Sequence, residues 1–129
     1  MSDEIKVEES VVAEVKVNPK ISIDDLSKIE VTLGKILSAE KIEGSEKLLK
    51  LRVDFKEESG PRQILSGIRK YFEDEQVLVG QKCMFVTNLA PRMMMGLESN
   101  GMLFALGGGD TPFSLLRADD AVEEGTKAN

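Results

Sequence analysis

Apolar and polar residues alternate in several short runs along this 129-residue chain, and such runs predict strands. The first begins at Ile29, where Ile29, Val31 and Leu33 alternate with Glu30 and Thr32. At Gly34 the apolar phase shifts to Ile36 and Leu37, and a glycine at a phase change predicts a bulge or sharp bend. Glu43–Lys47, EGSEK, reads as a turn or loop. The clearest strand follows, with Leu49, Leu51, Val53 and Phe55 alternating with Lys50, Arg52 and Asp54. After a turn at Glu57–Pro61 come a third strand at Arg62–Ile68, a fourth at Lys82–Asn88 and a fifth at Gly101–Leu106. The polar segment Arg69–Gln76, anchored by Tyr71 and Phe72, is the place for a short helix, and Gly80 ends it. Asp24–Ser27 suits one helical turn ahead of the first strand. Gly107–Gly109 predicts a flexible turn, followed by Phe113, Leu115 and Leu116 as a last apolar segment before a polar end.

Five short strands separated by turns, with little helix and no internal repeat, predict a small all-β domain. The glycine bend suits the corner of a closed barrel, although pattern alone leaves barrel and sandwich nearly level. Residues 1–20 are rich in Val, Glu and Lys without a sustained apolar period, and read as a flexible tail or linker before a domain spanning 21–129.

Charge changes this picture more through its distribution than its sum. The net charge is −6, which by itself argues against a nucleic-acid partner. Residues 1–27 carry −4 and residues 107–129 carry −3, whereas residues 28–106 hold 12 basic and 11 acidic side chains. The acidity sits in the tails, so the middle can present a basic face. No apolar run approaches the roughly 20 residues that span a bilayer, and no signal peptide begins the chain. A single cysteine excludes an internal disulfide and fits a reducing, cytoplasmic setting.

The absence of histidine removes the usual proton-transfer side chain, the Ser-His and Cys-His nucleophile pairs and most zinc sites. No cofactor or metal site is expected. Cys83 reads as a buried small residue rather than a nucleophile. Gly107–Gly109 lacks the Lys-Ser/Thr pair of a phosphate loop, and Glu57-Glu58 and Glu73–Glu75 read as solvated turns. The least ordinary stretch is NLAPRMMMGLESNGMLFA, Asn88–Ala105, which holds four of the six methionines.

The blocks EGSEKLLKLRVDF, RQILSGIRKYF and NLAPRMMMGLESNGMLFAL, in that order and spacing, resemble the tRNA-binding OB-fold domain. That domain occurs as free-standing tRNA-binding proteins and as an appendage of methionyl-tRNA synthetases and eukaryotic synthetase cofactors. The resemblance runs from about Ile21 to Leu106 and more weakly to Leu116. ISIDDLSKIEV, SGIR and NLAPR look most like the C-terminal appendage of methionyl-tRNA synthetase. It implies a five-stranded OB-fold barrel with short helices and a C-terminal extension. It also implies a non-catalytic module that recognises the outer corner of folded tRNA by shape, in a homodimer joined through its C-terminal part.

The family's motif positions fall here on Lys47, Ser66-Gly67, Asn88, Arg92, Ser99, Gly101 and Met102. Each has a plain physical reading. Lys47 follows a loop and can meet a phosphate. Ser66-Gly67 offers a small donor where backbone can come close to a ligand, or a glycine needed only for the chain path. Asn88 suits either a turn or an RNA contact. Arg92, after Pro91, projects from a loop and can fork onto a phosphate or stack on a base. Ser99 and Asn100 place small polar groups at the mouth of the last strand, beside Gly101 and Met102. Arg52, on the polar side of the second strand, and Arg62, opening the third, either line the binding face or sit on a solvated exterior. Met93–Met95 pack the loop beside Arg92. Leu115, Leu116 and Val122 supply a dimer interface or cap the barrel. With five Phe, one Tyr and no Trp, the chain offers few platforms for stacking a single strand, which favours structured RNA. Tolerance of methionine-rich surfaces for varied apolar partners supports a second expectation, a peptide-binding secretion chaperone of the same fold.

Overall fold

The computed structural model describes residues 17–129. Most of the tail expectation for residues 1–20 therefore lies outside the described residues. Helix α1, Ile23–Leu26, is a single turn whose N-cap Ser22 accepts a hydrogen bond from the Asp25 amide at 3.1 Å. Strands β1 (Val31–Lys41), β2 (Leu49–Asp54), β3 (Arg62–Ser66), β4 (Lys82–Val86) and β7 (Met102–Leu103) form one antiparallel sheet in the order β3-β2-β1-β4-β7. Short 3-10 segments at Arg69–Tyr71 and Glu75–Leu78 stand where the short helix was expected.

β1 bends the sheet into a barrel. Its first half pairs with β4 and its second half with β2, and Lys35 faces partners on both, Lys82 and Asp54. The bulge lies after Gly34, between Ile36 and Ser38, with Leu37 as the extra residue. Gly34 has a different task from the bend expected of it. A Cβ there would stand 2.5 Å from both Phe55 Cε1 and Val53 Cγ1, so its bare Cα makes room for the core to close over β1. The barrel is almost sealed where β3 meets the segment from β6 (Leu97–Ser99) to β7. The Asn100 amide donates to Gln63 O at 2.8 Å, and the Leu65 amide donates to Ser99 Oγ at 3.0 Å.

The core holds the inward-facing Leu49, Leu51 and Val53 of β2 with Ile36, Ile64, Leu78, Cys83 and Phe85, all buried. Period-2 alternation in β2 is thus realised directly, with Lys50, Arg52 and Asp54 on the outer face. Burial pushes the Cys83 thiol up to about 11, which keeps it protonated and unreactive.

Two hairpins were not foreseen. β5 (Arg92–Met94) pairs with β6 inside the methionine stretch, where a loop was expected. Their two-residue turn has positive φ at both Met95 (52°) and Gly96 (77°), the requirement of a type I′ hairpin, which usually employs Asn-Gly. β8 (Ala105–Gly108) and β9 (Thr111–Leu115) pair across the glycine turn. The fifth strand expected at 101–106 is therefore divided between β7 and β8. Leu115 is buried in the core, so capping within the chain holds for that residue.

The polar end is laid across the barrel rather than left free. Leu33 and Val31 exchange backbone hydrogen bonds with residues 125–128, and Lys82 Nζ donates to Asp120 O and Val122 O at 2.9 and 2.7 Å. Among the described residues no helix is long and apolar enough to cross a membrane.

Candidate nucleic-acid interface

The loop between β1 and β2 is short, polar and tightly held. Ser45 Oγ accepts from the Leu48 amide at 3.0 Å, and the Ser45 amide donates to Ile42 O at 3.1 Å. Arg69, at the start of the first 3-10 segment, reaches across to it. Its guanidinium donates to the carbonyls of Ser45 and Ile42, and its backbone amide donates to Lys47 O at 3.1 Å. Lys47 is thus fixed through its backbone while its ammonium is exposed, and no carboxylate pairs with it among the described residues. Glu43 and Glu46 are exposed on the same loop. Sequence reasoning passed over Arg69, although it ends the SGIR block. Replacing Arg69 with Ala is expected to free the loop, so that hydrogen exchange at the Ser45–Leu48 amides speeds by roughly tenfold or more. Unchanged exchange there would show that Arg69 does not hold the loop.

Arg52 continues this surface. It is exposed on the outer face of β2, between Ser38 and Gln63 on the neighbouring strands, and among the described residues it has no ion-pair partner. Gln63 in turn donates through Nε2 to Glu98 O at 2.9 Å, joining this face to the β5–β6 hairpin. The hairpin carries Arg92, exposed and without an ion pair among the described residues, at the start of β5 rather than in a loop. Its tip leans toward the β1–β2 loop, since the Met95 methyl lies 3.7 Å from where a Cβ on Gly44 would stand. Met93 and Met95 are exposed and Met94 half-buried, so only the last packs as expected. Loop, strand face and hairpin border one surface bearing Lys47, Arg52 and Arg92.

Ser66 is half-buried at the end of β3, next to an exposed Gly67. Gly67 has negative φ, and a Cβ there would meet nothing within 4 Å. The chain path alone therefore does not demand glycine at 67.

Four further expected site residues, Arg62, Asn88, Ser99 and Gly101, are engaged in contacts within the barrel. Arg62 is half-buried rather than on a solvated exterior. Its guanidinium donates to Glu57 Oε1 and Oε2 at 2.9 and 2.7 Å and to Thr87 O at 2.7 Å, and it lies 5.3 Å from the Phe55 ring centroid. The same hydrogen bonds from Arg62 hold the Glu57 carboxyl below its usual range. Asn88 ties β4 to the chain before β1, accepting from the Glu30 amide at 2.8 Å and donating to Lys28 O at 2.7 Å. Ser99 is buried, its Oγ taken up by the Leu65 amide and by Gly101 O. Gly101 has φ 141°, and a Cβ there would stand 2.9 Å from Ile64 Cδ1. Met102 is exposed beside this seam and pairs with Val86. The engagement of Ser99 and Asn88 could not be read locally, because Leu65, Glu30 and Lys28, which they bind, lie 34 to 60 residues away.

Comparison with known proteins matches residues 31–127 to the family model for the tRNA binding domain. Methionine–tRNA ligase of Caldanaerobacter subterraneus is 45% identical over 107 residues, covering 83% of this chain and 16% of that protein. The corresponding ligase of Methanoregula boonei is 49% identical over 109 residues, covering 84% of this chain and again 16% of that protein. The chain thus spans about one sixth of the length of these curated relatives. Among solved structures, the MetRS-related protein of Pyrococcus horikoshii superposes with a TM-score of 0.78 at 32% identity, over 86% of this chain and 99% of that one. The chaperone CsaA of Bacillus anthracis shares the fold, with a TM-score of 0.74 at 22% identity over 86% of this chain and all of that one.

Proposed function

The chain belongs to the tRNA binding domain family, and from that premise we propose that it binds folded tRNA through the surface bearing Lys47, Arg52 and Arg92. The observation that carries this reading is the uncommitted ammonium of Lys47 on a loop that Arg69 has already ordered. A prepaid loop geometry lets phosphate contacts form without further loss of entropy. Ser66 and Gly67 give a small, open place for backbone approach beside it, and Met102 is an exposed apolar neighbour. The module is non-catalytic and resembles the part of methionyl-tRNA synthetase that supplements the catalytic body. It works in the cytoplasm, either appended to such an enzyme or free-standing, and as a homodimer.

Filter binding of folded tRNA against an unstructured RNA of equal length tests the proposal. Tighter binding to the folded RNA is expected, and equal weak binding to both would sink it. Lys47→Ala and Arg92→Ala should each weaken binding and lower the slope of log affinity against log salt by about one. Arg69→Ala should weaken binding as Lys47→Ala does, through the loop.

The exposed Met93, Met95 and Met102 favour a second reading, a surface for unfolded peptides. Titrating an unfolded client and tRNA in parallel at physiological salt separates the two, since only the true ligand displaces the other.

A further inference from the structure

Half of the chain's aromatic side chains gather at one corner. Tyr71 and Phe113 stack with ring centroids 4.1 Å apart and planes 2° from parallel, and Phe72 meets Phe113 edge-on at 5.8 Å. These rings do not seal against one another. With Ser114, Leu115 and Arg117 they line an open cleft of about 230 Å³.

The cleft is held rigid from several sides. Tyr71 follows directly on the Arg69–Lys70 step of the 3-10 segment, and its hydroxyl accepts from the Gly109 amide at 3.2 Å. A Cβ on Gly108 would stand 2.4 Å from that hydroxyl, so glycine at 108 is what lets the phenol seat under the β8–β9 turn. Arg117 is anchored by a backbone bridge to Cys83. Of the two cations nearby, Arg117 lines the cleft and Lys70 stands against Tyr71. Lys70 Nζ lies 5.3 Å from the Tyr71 ring centroid, and the exposed Arg117 pairs with no carboxylate among the described residues.

Planar rings beside unpaired cations suit a ligand that is itself a planar ring on an anionic backbone. An apolar peptide side chain would use the rings and leave both cations without a counter-charge. We propose that this cleft is a second RNA contact, taking one unpaired base against Phe72 and the Tyr71–Phe113 pair, with a flanking phosphate between Lys70 and Arg117. The proposal rests on the tRNA-binding reading and extends it. Arg69, which orders the Lys47 loop, precedes Lys70 and Tyr71 directly, so the cleft's segment adjoins that loop.

The single tyrosine and the absence of tryptophan provide the test. Incorporating meta-fluorotyrosine gives one fluorine resonance, at Tyr71. Folded tRNA is titrated while gel shift follows binding in the same samples. The resonance should move as complex forms. Phe72→Leu should weaken binding by roughly tenfold without changing its salt slope, and Arg117→Gln should lower that slope by about one. Should Phe72→Leu misfold by circular dichroism, the exposed Arg117 variant and the resonance carry the test. Gel-shift binding with an unmoved resonance overturns the cleft and leaves the tRNA reading intact. Absence of any gel shift overturns both. A resonance moved by an unfolded apolar peptide and not by tRNA gives the cleft to a protein partner and overturns the proposal.

Discussion

Replacing Gly34 with Ala should destabilise the fold by about 3 kcal/mol, at the upper end for overpacking a core. The added methyl would stand 2.5 Å from atoms of Phe55 and Val53, side chains only 3% and 0% exposed. Neither can swing aside. Val53 is sealed within β2, and Phe55 lies edge-on to Phe85 at 5.4 Å with Arg62 over its ring at 5.3 Å. β1 would have to move off the core at the strand shared by both halves of the barrel. The thermal midpoint should fall by roughly 10 °C for a domain of this size. Gly67→Ala is the control, since a Cβ there meets nothing and φ is negative. It should leave stability within about 0.5 kcal/mol and weaken tRNA binding where the ligand's backbone comes close. A Gly34→Ala chain melting beside the wild type would show that the core repacks freely, against this account of the close packing at Gly34.

Arg62→Ala should cost about 2–3 kcal/mol. It removes a charge-assisted pair, a bond to Thr87 O and the packing over Phe55. The figure is below that for a fully buried pair because Glu57 is about one third exposed and can hydrate once orphaned. Arg62→Met should recover part of the loss by keeping the stem on Phe55. The pair also gives a pH signature. Glu57 is held below its ordinary value of 4.5 by the Arg62 hydrogen bonds. Its contribution is therefore complete above that value and is lost as pH falls through the lower folded value. Urea melts at pH 7 and at pH 3 should show the wild-type advantage over Arg62→Ala shrinking at the acid end. An advantage that is constant or grows in acid would remove Glu57 from the account. Affinity for tRNA, measured where both chains remain folded, should change far less than stability.

The contrast between Arg52 and Arg62 marks how far local pattern reaches. Both were candidates for the binding face. Arg52 alternates with buried Leu51 and Val53 and so had to point outward. Arg62 opens its strand opposite Val53, an inward register, and its fate depended on what waited inside. Glu57 lay five residues away, whereas Thr87 and Asn100 lay 25 and 38 away. The methionine stretch shows another limit. Strands of three residues are too short to display a period, and the turn uses Met95 at a positive φ where Asn would have signalled a hairpin.

Sequence alone determined the long strands, the loops between them, the outward cations Lys47 and Arg52 and the inertness of Cys83. These follow from period-2 alternation and turn residues, which are properties of neighbouring residues, and from the lack of histidine, a property of composition. Tertiary structure alone decided which polar side chains were spent inside the chain. Ser99 and Arg62 satisfy buried and part-buried groups brought to them by barrel closure, because a buried donor or acceptor must be paired wherever the chain delivers it, and Asn88 ties two exposed segments at its surface. Lys47 and Arg92 kept their charges free because, among the described residues, closure brought no carboxylate within ion-pair distance of either. That difference, set by long-range pairing rather than residue type, separates the candidate RNA contacts from the frame that holds them.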